Sequence, residues 1–257
     1  MRYLAVWIAL LALLSVSPAK DEFQPGDFIR QHLNSIGTDQ ARAAVKNRLA
    51  QGTVSSQVVN GGPQVWDGQE TFVSEGDRFA SLLKFAPSVY RTEWFVRDGQ
   101  RTSVAPVRPG RYTALSQFVM VHNEILTEGL WGGTLSTGWA VSRLEENHAH
   151  LQDRGLKKVD GRELRRVDYI PKKSSDLEIQ LYFEPDTFRH VMTVYLIVQR
   201  PLIQLAERFA DFRSIDNVML PGRWTIEYTH GRMDRYEVTE EKISHNISLD
   251  PKNFDIK

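Results

Sequence analysis

Two blocks of short runs, each closed by a turn-forming pair, commit most of this chain to antiparallel β-structure. The first block holds TVSSQVV (53–59), RFASLLKF (78–85), RTEWFV (91–96) and QRTSVAPV. Asn60-Gly61-Gly62, Asp67-Gly68 and Asp98-Gly99 lie between these runs. Asp and Gly tolerate the positive φ of tight hairpin turns, so each pair predicts a reversal. The second block begins after Gly155. LKKV and RELRRVDYI flank Asp160-Gly161, and DLEIQLYF and FRHVMTVYLIV flank Glu184-Pro185-Asp186-Thr187. RWTIEYT and RYEVTEEKISHNISL complete it. Side chains alternate along a strand. Ile179, Leu181 and Phe183 therefore share one face, and Trp224, Ile226 and Tyr228 share another such face.

Helical spacing appears in three places. Asp27 is positioned to cap a helix carrying Phe28, Ile29, His32, Leu33 and Ile36, stopped by Gly37. A second helix is expected from Thr38, as N-cap, to Leu49. Between the blocks, Tyr112 to Leu126 repeats apolar residues at Leu115, Phe118, Val119, Ile125 and Leu126, and glycines at 129, 132, 133 and 138 end it. A short polar helix is expected near 141–151. Strands with one apolar face need a cover. The expected fold is α+β: a curved antiparallel sheet covered on its apolar face by the middle helix, with Phe118 or Ile125 closing over the strand residues above.

The N-terminus reads as an export leader. Met1 and Arg2 precede an apolar run from Tyr3 to Leu14, and Ser17 and Ala19 are the small residues a signal peptidase reads before Lys20. That run is shorter than the roughly 20 residues a spanning helix needs. The expectation is a leader over 1–19, a periplasmic protein over 20–257 forming a single domain, and no stable membrane insertion after cleavage. The chain has no Cys, so disulfides, thiolate metal sites and a lipidated N-terminal Cys are ruled out. Its 32 basic and 32 acidic side chains balance. A chain so nearly neutral has no field to attract nucleic acid.

Catalytic patterns are sparse. Ser81-x-x-Lys84 matches a penicillin-binding-enzyme motif but falls in an expected strand, without the partner motifs. His148 and His150 read as a solvated stretch rather than a metal site, and His122 as a partly buried side chain. Glu240, Glu241 and Asp250 read as surface charges. Asp168 reads as a structural ion-pair partner of Arg165 or Arg166 if it faces inward. Trp94, Trp131, Trp139 and Trp224 read as core before ligand contacts. No cofactor or metal is expected.

The order helix, strands, helical insertion, strands resembles the bacterial outer-membrane lipoprotein carrier and receptor group (LolA/LolB-like). Three stretches carry the resemblance: GRELRRVDYIPKKSSDLEIQLYFEPDTFRHVMTVY (161–195), ERFADFRSIDNVMLPGRWTIEY (207–228) and the terminal ISHNISLDPKNFDIK. Together with the element order, the similarity extends over most of the chain after the leader. It implies a strongly curved half β-barrel whose concave face is closed by helices over an apolar cavity. No ligand residue of that group transfers by motif. The expected function is non-enzymatic binding of an apolar ligand, a lipid or lipoprotein acyl group. Phe118, Ile125, Ile179, Leu181, Phe183, Trp224, Ile226 and Tyr228 are the candidate lining. The alternative is a structural or sensory protein that binds an envelope protein partner through the same fold.

Overall fold

The computed structural model describes residues 23–62, 64–85, 92–105, 111–173, 176–198 and 202–256. The leader, its cleavage site and the start of the expected 91–96 strand lie outside them. The chain begins with helices α1 (Pro25–Ile36) and α2 (Asp39–Ala44). Strands β1 (Asn47–Val59), β2 (Val65–Glu75), β3 (Arg78–Phe85), β4 (Glu93–Arg97) and β5 (Thr102–Val104) follow. A central segment contains α3 (Ala114–Val121), α4 (Glu124–Thr127) and α5 (Leu144–Asn147). The second run is β6 (His150–Val159), β7 (Arg162–Ile170), β8 (Leu177–Phe183), β9 (His190–Ile197), β10 (Ile203–Ala210), β11 (Arg213–Ile215), β12 (Val218–Leu220), β13 (Arg223–His230) and β14 (Arg232–His245). Among the described residues, no helix is long and apolar enough to cross a membrane.

Among the described residues, twelve strands form one antiparallel sheet in the order β5-β4-β3-β2-β1-β14-β13-β10-β9-β8-β7-β6, which is not closed into a barrel. The two strand blocks meet where β1 pairs with β14. β11 and β12 make a separate ribbon. Asn60, Asp160 and Gly161 take positive φ at their hairpins, as their sequence predicts. One face of the sheet carries the main apolar cluster, which runs from Phe85 and Phe95 on one side to Leu151 and Val167 on the other. We call it the core face. The opposite face carries two smaller clusters, one around Tyr182 and Val194 and one in which Trp94 and Phe254 pack with Val73, Ala80 and Val96.

Several local expectations are corrected. The first helix is capped at Gln24 with Pro25 in its first turn, so Asp27 lies inside it. Pro suits that position because the missing N–H has no helical partner there. Thr38 does cap α2, accepting from the Ala41 N–H at 3.1 Å, but α2 ends at Ala44 and Asn47–Ala50 belong to β1. Pairing with both β2 and β14 there outweighs the helix propensity of the run. Asp67-Gly68 is not a turn. Both sit within β2, and a Cβ on Gly68 would stand 2.3 Å from the Lys84 carbonyl oxygen, so the glycine serves close strand approach. The middle helix is two pieces, broken at His122 and Asn123. The helix expected near 141–151 is the four-residue α5, and His150 already starts β6.

Candidate functional site

All eight candidate residues join the same buried cluster on the core face. Ile179, Leu181 and Phe183 come from β8, and Trp224, Ile226 and Tyr228 from β13. The Phe118 ring lies 5.4 Å from that of Tyr228. Of the eight, Leu181 borders a small cavity of about 30 Å³ with His32, Ile36, Thr134, Trp139 and His190, and Ile179 borders a wider cleft of about 500 Å³ with Arg154, Arg166 and Asp168. The small cavity suits one or two waters. Trp131 and Trp224 are fully buried, whereas Trp139 is only partly so.

The central segment packs on the core face through Trp131. Its ring is 4.4 Å from Phe95 of β4 and 5.4 Å from Trp224 of β13. Gly132 and Gly133 follow at φ 73° and 51°. Cβ atoms there would meet the rings of Phe72 and Phe209 at 2.8 and 2.7 Å, so glycine gives both the backbone shape and the clearance.

Buried polar groups of the sheet then tie this segment down, and the sequence reading missed all of them. Arg48 of β1 is fully buried and donates to the carbonyl oxygens of Thr134 (2.7 Å) and Leu135 (2.9 Å). Its guanidinium stands 5.4 Å over the Trp139 ring, and Trp139 itself is held at φ 44°. Positive φ in a bulky residue costs about 1–3 kcal/mol and persists only under surrounding restraint. Arg48 Nε donates to His245 Nε2 at 3.1 Å, and His245 Nδ1 pairs with Asp216 at 2.9 Å. Ser74 of β2 receives the Thr137 N–H at 3.1 Å. Glu207 of β10 accepts from the Gly132 N–H (2.9 Å) and the Tyr195 hydroxyl (3.0 Å). Glu93 of β4 accepts from the hydroxyls of Thr113 and Ser116, at the start of α3, and from Tyr236.

Burial dominates the electrostatics of these groups. It lowers Arg48 to about 9 and raises Glu93 to about 7 and Glu207 to about 8. Glu70 and Glu240 face each other across Gly52 in the β2-β1-β14 register. Burial pushes Glu70 well above the carboxylate range and Glu240 up to about 7. Their four carboxyl oxygens have no hydrogen-bond partner among the described residues, so burial and the mutual repulsion of the two groups favour a proton on the pair. The surface reading of Glu240 is thus corrected: it is 1% exposed. Asp168 faces away from the core face, and its partners are Arg166 on its own strand and Arg154 on β6, each at 2.6 Å. Among the described residues, no group of three or more His, Asp or Glu is arranged to hold a metal.

These shifts set a pH dependence. A carboxyl raised on folding supports the fold fully below its ordinary value, and that support is lost as pH rises through the folded value. Stability is therefore expected to decline from the ordinary carboxyl value of 4.5 up to about pH 7 for Glu93 and about pH 8 for Glu207, and to level off above that. His32 and His190, lowered by burial to about 4 and 3, act oppositely and withdraw support as pH falls below 6.5. Glu207→Gln keeps an acceptor for Gly132 and should make this decline shallower and end it near pH 7. Urea midpoints measured across that range check it, and an unchanged slope in the variant would rule Glu207 out as its source.

No protein-family model and no curated protein matches the sequence. Solved structures do match the fold. A LolA superfamily protein from Nitrosomonas europaea superposes with a TM-score of 0.55 at 14% identity, over 91% of this chain and 98% of that one. The chain has a LolA-like fold. A DUF1329 family protein from Desulfovibrio piger gives a TM-score of 0.52 at 12% identity over 90% and 96% of the two chains. A Vibrio parahaemolyticus domain described as an outer membrane lipoprotein-sorting protein gives 0.52 at 11% identity over 90% and 97%. Within this LolA-like frame, the helical insertion expected from sequence is the central segment, fastened to the sheet by Arg48, Ser74, Glu93 and Glu207.

Proposed function

We propose that this protein is a non-enzymatic binding protein of the bacterial envelope whose ligand is an apolar chain, from a lipid or a lipoprotein acyl group. In this reading residues 1–19 are a leader removed on export, and the remainder works in the periplasm as one domain. The sheet is a half-barrel, the core face is its concave side, and the central segment is a removable cover. The observation that carries the reading is how that segment is held. Polar ties from the sheet hold it at its two ends and centre, and its buried side chains, Leu115, Val119, Ile125, Leu126, Trp131 and Leu135 among them, lie on a largely apolar sheet face. Ligand pockets usually measure about 300–1,000 Å³. The cavity beside Leu181, about 30 Å³, is far smaller, and the clefts of about 420 to 1040 Å³ elsewhere are more open to solvent, so in this reading the cover lifts to admit the chain. Phe118, Ile125, Ile179, Leu181, Phe183, Trp224, Ile226 and Tyr228 then line the space. The likeness to a LolA superfamily protein and a lipoprotein-sorting domain supports the reading.

A second reading, docking of an envelope protein with no lipid, has its own observation. Val65, Met120, Val121, Val198 and Leu202 are exposed, and the strand register places Val65, Val198 and Leu202 at one end of the sheet. The end of α3 lies there too, with His122 3.9 Å from Asp176. Native mass spectrometry of protein taken from its own periplasm, followed by titration with pyrene-labelled palmitate, separates the readings. Co-purified lipid and saturable palmitate binding are expected. Lipid-free protein that ignores palmitate would favour the second reading.

A further inference from the structure

The largest polar anomaly on the core face is Arg48, and its surroundings specify more than an apolar chain. We propose that the ligand carries an oxyanion headgroup, a phosphate or a carboxylate, and that Arg48 receives it once the cover lifts. This rests on the binding reading above and adds the chemistry of the headgroup.

The cover supplies both carbonyl oxygens that Arg48 Nη1 uses, from Thr134 and Leu135. Lifting the cover removes both. Nη2 has no partner among the described residues even in the closed form. The open state therefore presents a guanidinium fork with its outer nitrogens bare. Nε stays engaged, because His245 and Asp216 belong to the sheet side, and that bond keeps the fork aimed. Ser74 pairs with Arg48 across β1 and β2, and its hydroxyl loses Thr137 and Leu135 in the same movement. The result is a fixed cation with a free hydroxyl beside it, inside an apolar enclosure. Guanidinium forks match the two oxygens of a carboxylate or phosphate. Hydrocarbon laid against the fork would bury a charge with no partner, the least favourable arrangement for it.

The neighbouring charges leave room for an anion. Glu70 and Glu240 face this region, with Asp216 behind His245, and burial favours the neutral forms of the two glutamates. Arg213 donates to the Glu240 backbone carbonyl and adds a second cation. His245 is depressed by burial and by Arg48, so it meets the fork as a neutral acceptor.

The test is a tryptophan-fluorescence titration of the exported full-length protein at neutral pH. The probes are palmitate, a C16 lysophosphatidylglycerol, a C16 monoacylglycerol and inorganic phosphate. The two anionic amphiphiles are expected to bind at least about tenfold tighter than the neutral one, the scale of one charge-assisted hydrogen bond. Inorganic phosphate should not bind. Arg48→Gln should bring the anionic-to-neutral ratio close to one. Should that variant fail to fold, Glu240→Gln, which keeps its volume and removes a competing charge, should raise the ratio. Equal binding of all three C16 probes, or a ratio indifferent to either variant, overturns the headgroup inference and leaves the carrier reading standing. Tight binding of phosphate alone would mean a free-anion site and overturns it too. Binding of no C16 probe overturns both.

Discussion

Arg48→Met is expected to cost about 3–5 kcal/mol of folding stability, the range for removing one partner of a buried charged network. Met replaces the aliphatic stem and fills much of the space, so the loss is electrostatic and polar rather than volumetric. The Thr134 carbonyl oxygen loses its donor, that of Leu135 keeps only Ser74 at 3.4 Å, and His245 Nε2 loses its own donor. Glu240, already raised by burial, loses one of the two cations, Arg213 and Arg48, that oppose the shift. Hydrogen exchange should show the damage concentrated in residues 130–137. Adding Glu240→Gln should restore part of the stability, because the stranded carboxyl is then neutral. A urea midpoint close to that of the unmodified protein would mean that Arg48 does not fasten the central segment.

Trp131→Ala is expected to cost about 3–5 kcal/mol as well, by leaving a large cavity. Its ring is fully buried between Phe95 and Trp224, and the glycines behind it are shaped around Phe72 and Phe209. Neighbouring side chains from four strands cannot collapse into the gap together. The informative comparison is Trp224→Ala, which removes the facing ring from the sheet. Trp131→Ala should loosen exchange across 111–149 before the sheet. Equal loosening of sheet and central segment in both variants would show that the segment is an integral part of the core and not a separable cover.

The strands were legible because alternation and turn pairs are local signals. RFASLLKF became β3 from end to end, and the 184–187 turn joins β8 to β9 as its proline suggested. The start of β1 was not legible. Its residues 47–50 continue an Ala- and Arg-rich run, and pairing with β2 and with β14, the latter nearly 200 positions away, makes them a strand. The apolar candidates could be read from period alone. The polar ties could not, because a charged residue in a strand usually faces water. Yet the signal was present. Glu207 alternates in phase with Leu205 and Phe209, Arg48 with Ala50, and Glu240 with Val238, all on the core face. Parity placed these charges inside, and composition argued them out again. The partners of Glu207 and Arg48, Gly132 and Leu135, lie in the central segment, far off in sequence.

The junction of β1 with β14 bears on how such a chain comes to be folded at all. The first strand finds its second neighbour only in the last one, so a ribosome must finish Arg232–His245 before the two halves of the sheet can join. Until then β1 has an open edge, and contacts this distant in sequence form slowly. A chain arranged in this way stays unfinished throughout its own synthesis. That is a handicap for a protein that must fold as it is made, and an advantage for one that has to be threaded through a narrow pore first.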